Sequence, residues 1–78
     1  MYLEIITPDK KLFEGEAKAL TVPGSDGSLG VLDNHAAMIA SLKKGKVKVT
    51  TDKAEIKFFE VNGGVIEVLK NKVVVLAE

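Results

Sequence analysis

His35 is the single histidine among 78 residues, and it is the natural place to look for chemistry. A histidine base needs a nucleophile on one side and an orienting carboxylate on the other. Ser25, Ser28 and Ser41 could supply the nucleophile, and Asp26 and Asp33 the carboxylate. None of these serines stands in a Gly-x-Ser-x-Gly elbow, and Gly-Ser-Asp-Gly is common loop language. Glu14 and Glu16 fall two apart on one strand face beside Gly15, which reads as a solvated edge. Cysteine is absent, so thiolate nucleophiles, thiolate zinc sites and disulfides are excluded. One His among scattered carboxylates offers no metal-ligand spacing. Gly24, Gly27 and Gly30 recur at i, i+3 and i+6, as in a phosphate cradle. A cradle opens a helix whose first amides face the anion. Here Val31-Leu32-Asp33 follows and no Gly-Lys-Ser/Thr appears, so nucleotide binding is rejected. The loop reads instead as tight turns that need positive φ, or as a fixed polar surface for a partner. His35 is then a structural or interface histidine. No catalytic set, metal site or cofactor emerges, and the chain reads as a non-enzyme.

Composition narrows the partners. Eleven Lys balance eleven carboxylates and arginine is missing, so the net charge is zero. A general nucleic-acid binder needs a positive surface, and bidentate guanidinium contacts are unavailable. No apolar run approaches the ~20 residues of a membrane span, and the first residues do not form a signal peptide. The length suits one domain over 1–78, and 46% apolar residues can build its core.

The elements that must position any site have a period of two. Lys46-Val47-Lys48-Val49 alternates strictly. Glu55-Ile56-Lys57-Phe58 alternates until Phe59, where the break predicts a bulge or a strand covered on both faces. Tyr2–Thr7, Ala17–Val22, Ile39–Leu42, Val65–Leu69 and Lys72–Ala77 read as strands. Pro8-Asp9, Pro23-Gly24, Asp26-Gly27, Lys44-Gly45, Asp52-Lys53, Asn62-Gly63-Gly64 and Asn71 read as turns. Many short strands with frequent turns predict an all-β antiparallel sandwich or barrel without long helices. One helical turn is expected after Asn34, through Ala36, Ala37 and Met38.

Two resemblances compete. Thr51-Asp52-Lys53-Ala54, with Gly64-Val65-Ile66 downstream, resembles the modification hairpin of a lipoyl carrier domain, which implies Lys53 as an acylated residue. The prolines usual between that Lys and Gly are missing, and the likeness ignores the first half of the chain.

The second resemblance spans the whole sequence. Thr-Val-Pro-Gly-Ser-Asp-Gly-Ser-Leu-Gly-Val-Leu-Asp-Asn-His-Ala, from Thr21 to Ala36, is similar to the epsilon family of F-type ATP synthases. Leu3–Pro8 with Leu12-Phe13-Glu14-Gly15 resembles its opening hairpin, Val61–Val68 its Gly-Gly segment, and Val73–Glu78 its last strand. The resemblance implies a ten-stranded β-sandwich in the central-stalk rotor, without chemistry of its own. It implies two partners, the gamma subunit and the polar loops of the c-ring. It implies coupling of proton- or sodium-driven rotation to ATP synthesis, on the cytoplasmic face of the cell inner membrane without insertion. Ser25, Asp26, Gly27, Ser28, Leu29, Gly30 and His35 then face the c-ring. Thr7, Met38, Ile39, Ala40 and Leu42 face gamma. The sequence stops at Glu78, where the family's helical hairpin begins, so inhibition and nucleotide sensing by that hairpin are expected to be absent. Ala37 replaces the family's usual proline, which loosens the loop after His35.

Overall fold

The computed structural model describes residues 1–78, and all its regular elements are strands. They are β1 (Tyr2–Ile6), β2 (Lys11–Gly24), β3 (Gly27–Leu32), β4 (Met38–Thr51), β5 (Ile56–Leu69) and β6 (Lys72–Ala77). Alternation works as the period of two demands: Val47 and Val49 are fully buried while Lys46 and Lys48 stand in solvent. The strand order is β1-β6-β5-β4-β2-β3, and an added β1–β2 pairing closes the sheet on itself. β1 and β6 run parallel, and the other pairs are antiparallel.

The all-β expectation holds, but six strands replace the expected ten. β2, β4 and β5 are 14 residues each and serve both layers of the flattened sheet. β2 pairs with β1 through its first half and with β3 and β4 through its second. β4 and β5 stay in one unbroken register from Met38↔Val68 to Thr50↔Ile56. One layer therefore holds β3 with the later part of β2, the later part of β4 and the start of β5. The other holds β1 and β6 with the remaining halves.

Three local expectations are corrected. Lys44-Gly45 and Asn62-Gly63-Gly64 are not turns; they face each other inside the β4–β5 ribbon, as Lys44↔Asn62 and Gly45↔Val61. Gly64 has φ +133, and a Cβ there would sit 2.1 Å from the Leu76 carbonyl oxygen, so glycine is what lets β6 approach. The helical turn after Asn34 does not form. Asn34 takes φ 62 and donates its N–H to Asn71 Oδ1 at 2.8 Å, whereas an N-cap needs extended backbone. Finally, no bulge interrupts β5 at Phe59. Phe59 and Val61 turn inward, and Ile56 and Phe58 stay 55% and 60% exposed.

The core is one cluster between the layers, including Leu3, Ile5, Leu20, Val31, Val49, Ile66 and Val75. Phe13 and Phe59 meet edge to face at 5.9 Å beside it. Each fully buried aliphatic side chain contributes about 1.5–3 kcal/mol, and with no disulfide this packing carries the fold.

Candidate functional site

Ser25 and Asp26 form the tip that joins β2 to β3. Gly24 and Gly27 face each other at its base, and a Cβ on Gly24 would lie 2.5 Å from the Gly27 carbonyl oxygen. Of the three spaced glycines only Gly27 takes the positive φ expected of all, at 133, and space is open beside Gly30. The tip is tied to β4: the Ser25 N–H donates to the Ser41 carbonyl at 2.9 Å, and Ser41 Oγ donates to Ser25 Oγ at 2.9 Å. Beside it runs an open groove of about 420 Å³ between Gly24–Leu29 and Met38–Ser41, with Asp26 its single charged side chain.

Asp33 and His35 are engaged elsewhere. The Asp33 carboxylate pairs with the Met1 ammonium, which also donates to the Ala17 carbonyl at 3.0 Å. His35 Nδ1 lies 2.8 Å from the Ala36 carbonyl, and its backbone N–H donates to the Leu32 carbonyl at 3.2 Å. No group of three His, Asp or Glu side chains gathers as a metal site would need.

The residues expected to face the c-ring do not form one cluster. Ser25, Asp26, Gly27 and Ser28 lie at one end of β3, and His35 lies beyond the other. A six-residue strand spans roughly 17–20 Å at about 3.3 Å per residue. Gly30 is exposed between them, and Leu29 packs half-buried on the core.

The residues expected to face gamma divide as well. Ile39 is 73% exposed on the outer face of β4. Thr7 sits half-buried in the β1–β2 turn, where its N–H and Oγ1 donate to the Lys10 carbonyl at 2.8 and 3.0 Å. Met38 and Ala40 point the other way and pack against the core. Leu42 is a core residue at 6% exposure and presents no surface, a correction that strand alternation explains.

What the sequence did not single out is the company Ile39 keeps. Ser41↔Val65, Val65↔Leu76 and Leu76↔Ile6 set four strands side by side on one outer face. Ile6, Val65 and Leu76 thereby form an apolar row with Ile39 diagonal to it, and Ile39, Val65 and Leu76 are all exposed. Val65 and Leu76 meet across the short Lys70-Asn71 hairpin turn, but Ile6 and Ile39 reach them only through long-range pairing of β1 and β4, which no local signal shows.

A polar mesh borders it. Lys11 Nζ lies 2.9 Å from Glu14 and 3.1 Å from Glu4, and Lys72 Nζ lies 3.7 Å from Glu4. Tyr2 donates its hydroxyl to Glu14, and this raises the phenol from 10.0 to about 12. The same Tyr2 bond, with the Lys11 contact, holds the Glu14 carboxyl below the usual carboxylate range. Hydrogen bonds to Glu14 and Glu4 raise Lys11. Lys53 stands exposed in the β4–β5 turn, closed by Ala54 N–H to the Thr51 carbonyl at 2.9 Å.

Comparison with known proteins then assigns the chain. The family described as ATP synthase, Delta/Epsilon chain, beta-sandwich domain matches residues 1–78. The chain is 37% identical to an ATP synthase epsilon chain of Alkalilimnicola ehrlichii over 100% of its own length and 56% of that protein. It is 42% identical to one of Chlorobium limicola over 97% of itself and 86% of that protein. It thus spans about half the length of several curated relatives and most of a shorter one. Its fold matches a chain of the Euglena gracilis mitochondrial ATP synthase with a TM-score of 0.89 at 22% identity, covering 96% of this chain and 48% of that one. A chain of the Tetrahymena thermophila mitochondrial ATP synthase central stalk and c-ring matches with a TM-score of 0.81 at 24% identity, covering 99% and 62%. The family takes the place of the carrier reading of Lys53, and the chain belongs to the ATP synthase delta/epsilon β-sandwich family.

Proposed function

We propose that this chain is the non-catalytic foot of the central stalk in an F-type ATP synthase. It binds the gamma subunit and touches the polar loops of the c-ring, and so couples proton- or sodium-driven rotation to ATP synthesis. It acts peripherally, on the cytoplasmic face of the membrane that holds the ring. The observation that carries this reading is the apolar row Ile6–Leu76–Val65 with Ile39, in a frame of charged side chains. An exposed apolar patch with a polar rim is the usual mark of a protein partner. A typical interface buries about 800 Å² on each side, roughly a sixth of the 4684 Å² surface here. A rotor part must hold under load, and such an area suits that better than isolated charges. The β2–β3 tip, with Ser25 and Asp26 exposed and Ser25 braced on Ser41, supplies a small stiff contact for the ring. Calorimetric titration into the cognate gamma subunit tests the reading. One-to-one binding supports it, and a folded chain that gives no heat with gamma refutes it.

A further inference from the structure

We infer that the outer edge of β3 is a strand-addition site, and that it takes an extended, uncharged segment of the gamma subunit. The inference rests on the gamma reading above and adds how that partner is held.

β3 pairs on one side only, with β2. Gly24 and Gly27 flank a two-residue turn, so they form a hydrogen-bonded pair, and bonded and non-bonded pairs alternate from there. Leu29 and Val31 therefore bond to β2. Ser28, Gly30 and Leu32 turn their backbone groups to the open side. Two observations agree with this parity. Pro23, opposite Ser28, has no N–H to give, and the β2–β4 register shifts around it. Leu32 directs its carbonyl out of the ladder, where it accepts the His35 N–H. The N–H and carbonyl of Ser28 and Gly30 are left at a bare edge.

Natural edges are blunted by lysine, proline, bulges or covering loops. Gly27-Ser28-Leu29-Gly30-Val31-Leu32 holds no charge and no proline, and its register against β2 has no bulge. A row of free, evenly spaced amides and carbonyls fits one chemistry, another extended backbone. The groove beside it gives the room, about 420 Å³, and offers one charge, Asp26 at the turn. A charged strand would find no counter-ion along the edge. The opposite wall carries Ile39, which also turns its backbone toward the groove, since Ser41 of the same parity bonds to Ser25 there. A strand on β3 thus lies next to the apolar row, and a single partner reaches both. Gamma is that partner, and the β2–β3 tip stays free for the ring.

Amide hydrogen exchange on this chain, alone and saturated with the cognate gamma subunit, tests the inference. In the free chain Leu29 and Val31 are protected and Ser28 and Gly30 are not. In the complex Ser28 and Gly30 slow by at least about tenfold, since strand pairing closes their amides. Gly30→Pro deletes one outward N–H and weakens gamma binding by about tenfold, near the worth of one hydrogen bond. Circular dichroism checks the proline variant, and the exchange pattern decides should it not fold. Gamma binding with Ser28 and Gly30 still open overturns the inference and leaves the gamma reading standing. No binding overturns both. Protection of Ser28 and Gly30 that grows with the concentration of the free chain indicates pairing between copies, and also overturns it.

Discussion

Replacing Ile39 by alanine separates an interface residue from a merely exposed one. Its side chain is 73% exposed, so most of its burial energy is unspent in the free protein. Fully burying an isoleucine is worth about 1.5–3 kcal/mol, so docking has roughly 1–2 kcal/mol left to gain at this position. Losing it weakens gamma binding by about 5- to 30-fold. The free chain changes little, by about 1 kcal/mol at most, because only strand propensity is altered. Phe58 is the control. It is 60% exposed, on the outer face of the other layer, where it opposes Lys48. Phe58→Ala removes a larger apolar side chain and leaves the affinity within about twofold, as exposed positions outside an interface do. Titration calorimetry of both variants into gamma, with thermal unfolding of each, gives the comparison. Unchanged affinity for Ile39→Ala, or a larger loss for Phe58→Ala, refutes the choice of face.

Leu42→Ala behaves oppositely to Ile39→Ala: it opens a core cavity, costs about 2–5 kcal/mol of stability, and lowers the melting temperature before it touches affinity. Gly64→Ala must place a methyl group on the Leu76 carbonyl at φ +133, and costs about 2–5 kcal/mol, read as a fall in melting temperature of about 10 °C or more. Tyr2 is the only tyrosine and tryptophan is absent, so absorbance near 295 nm follows its ionisation alone. The parent titrates near 12, and Glu14→Gln moves the midpoint back toward 10. The raised phenol stabilises the fold below pH 10, an effect lost as pH rises through about 12. The depressed Glu14 carboxyl stabilises it above the usual carboxylate range, an effect lost as pH falls through its lowered value.

The sequence disclosed the fold class and the β2–β3 hairpin because both rest on local rules. Lys46-Val47-Lys48-Val49 carries its burial in its pattern, and Asp26-Gly27 marks its turn. Gly63-Gly64 misled because glycine serves turns and close backbone approach equally, and only the position of β6 distinguishes them. Asn34 misled for a similar reason, since asparagine suits both N-caps and left-handed turns. Leu42 was recoverable: alternation through Met38-Ile39-Ala40-Ser41-Leu42, with polar Ser41 marking the outside, sends Leu42 inward. Val65 and Leu76 follow from the β5–β6 hairpin at Asn71, but Ile6 and Ile39 were beyond reach, because their place beside that pair depends on long-range register of β1 and β4. Ile56 and Phe58 look like core residues in their alternation, yet Phe59 and Val61 take the inner face.

Photo-crosslinking in an assembled ATP synthase tests the central claim most directly, with a reactive side chain placed singly at Ile39, Asp26 or Phe58. The account predicts that Ile39 joins to gamma, that Asp26 at the hairpin tip joins to the c-ring, and that Phe58 joins to neither. Crosslinks to gamma from Phe58 with none from Ile39 would contradict it.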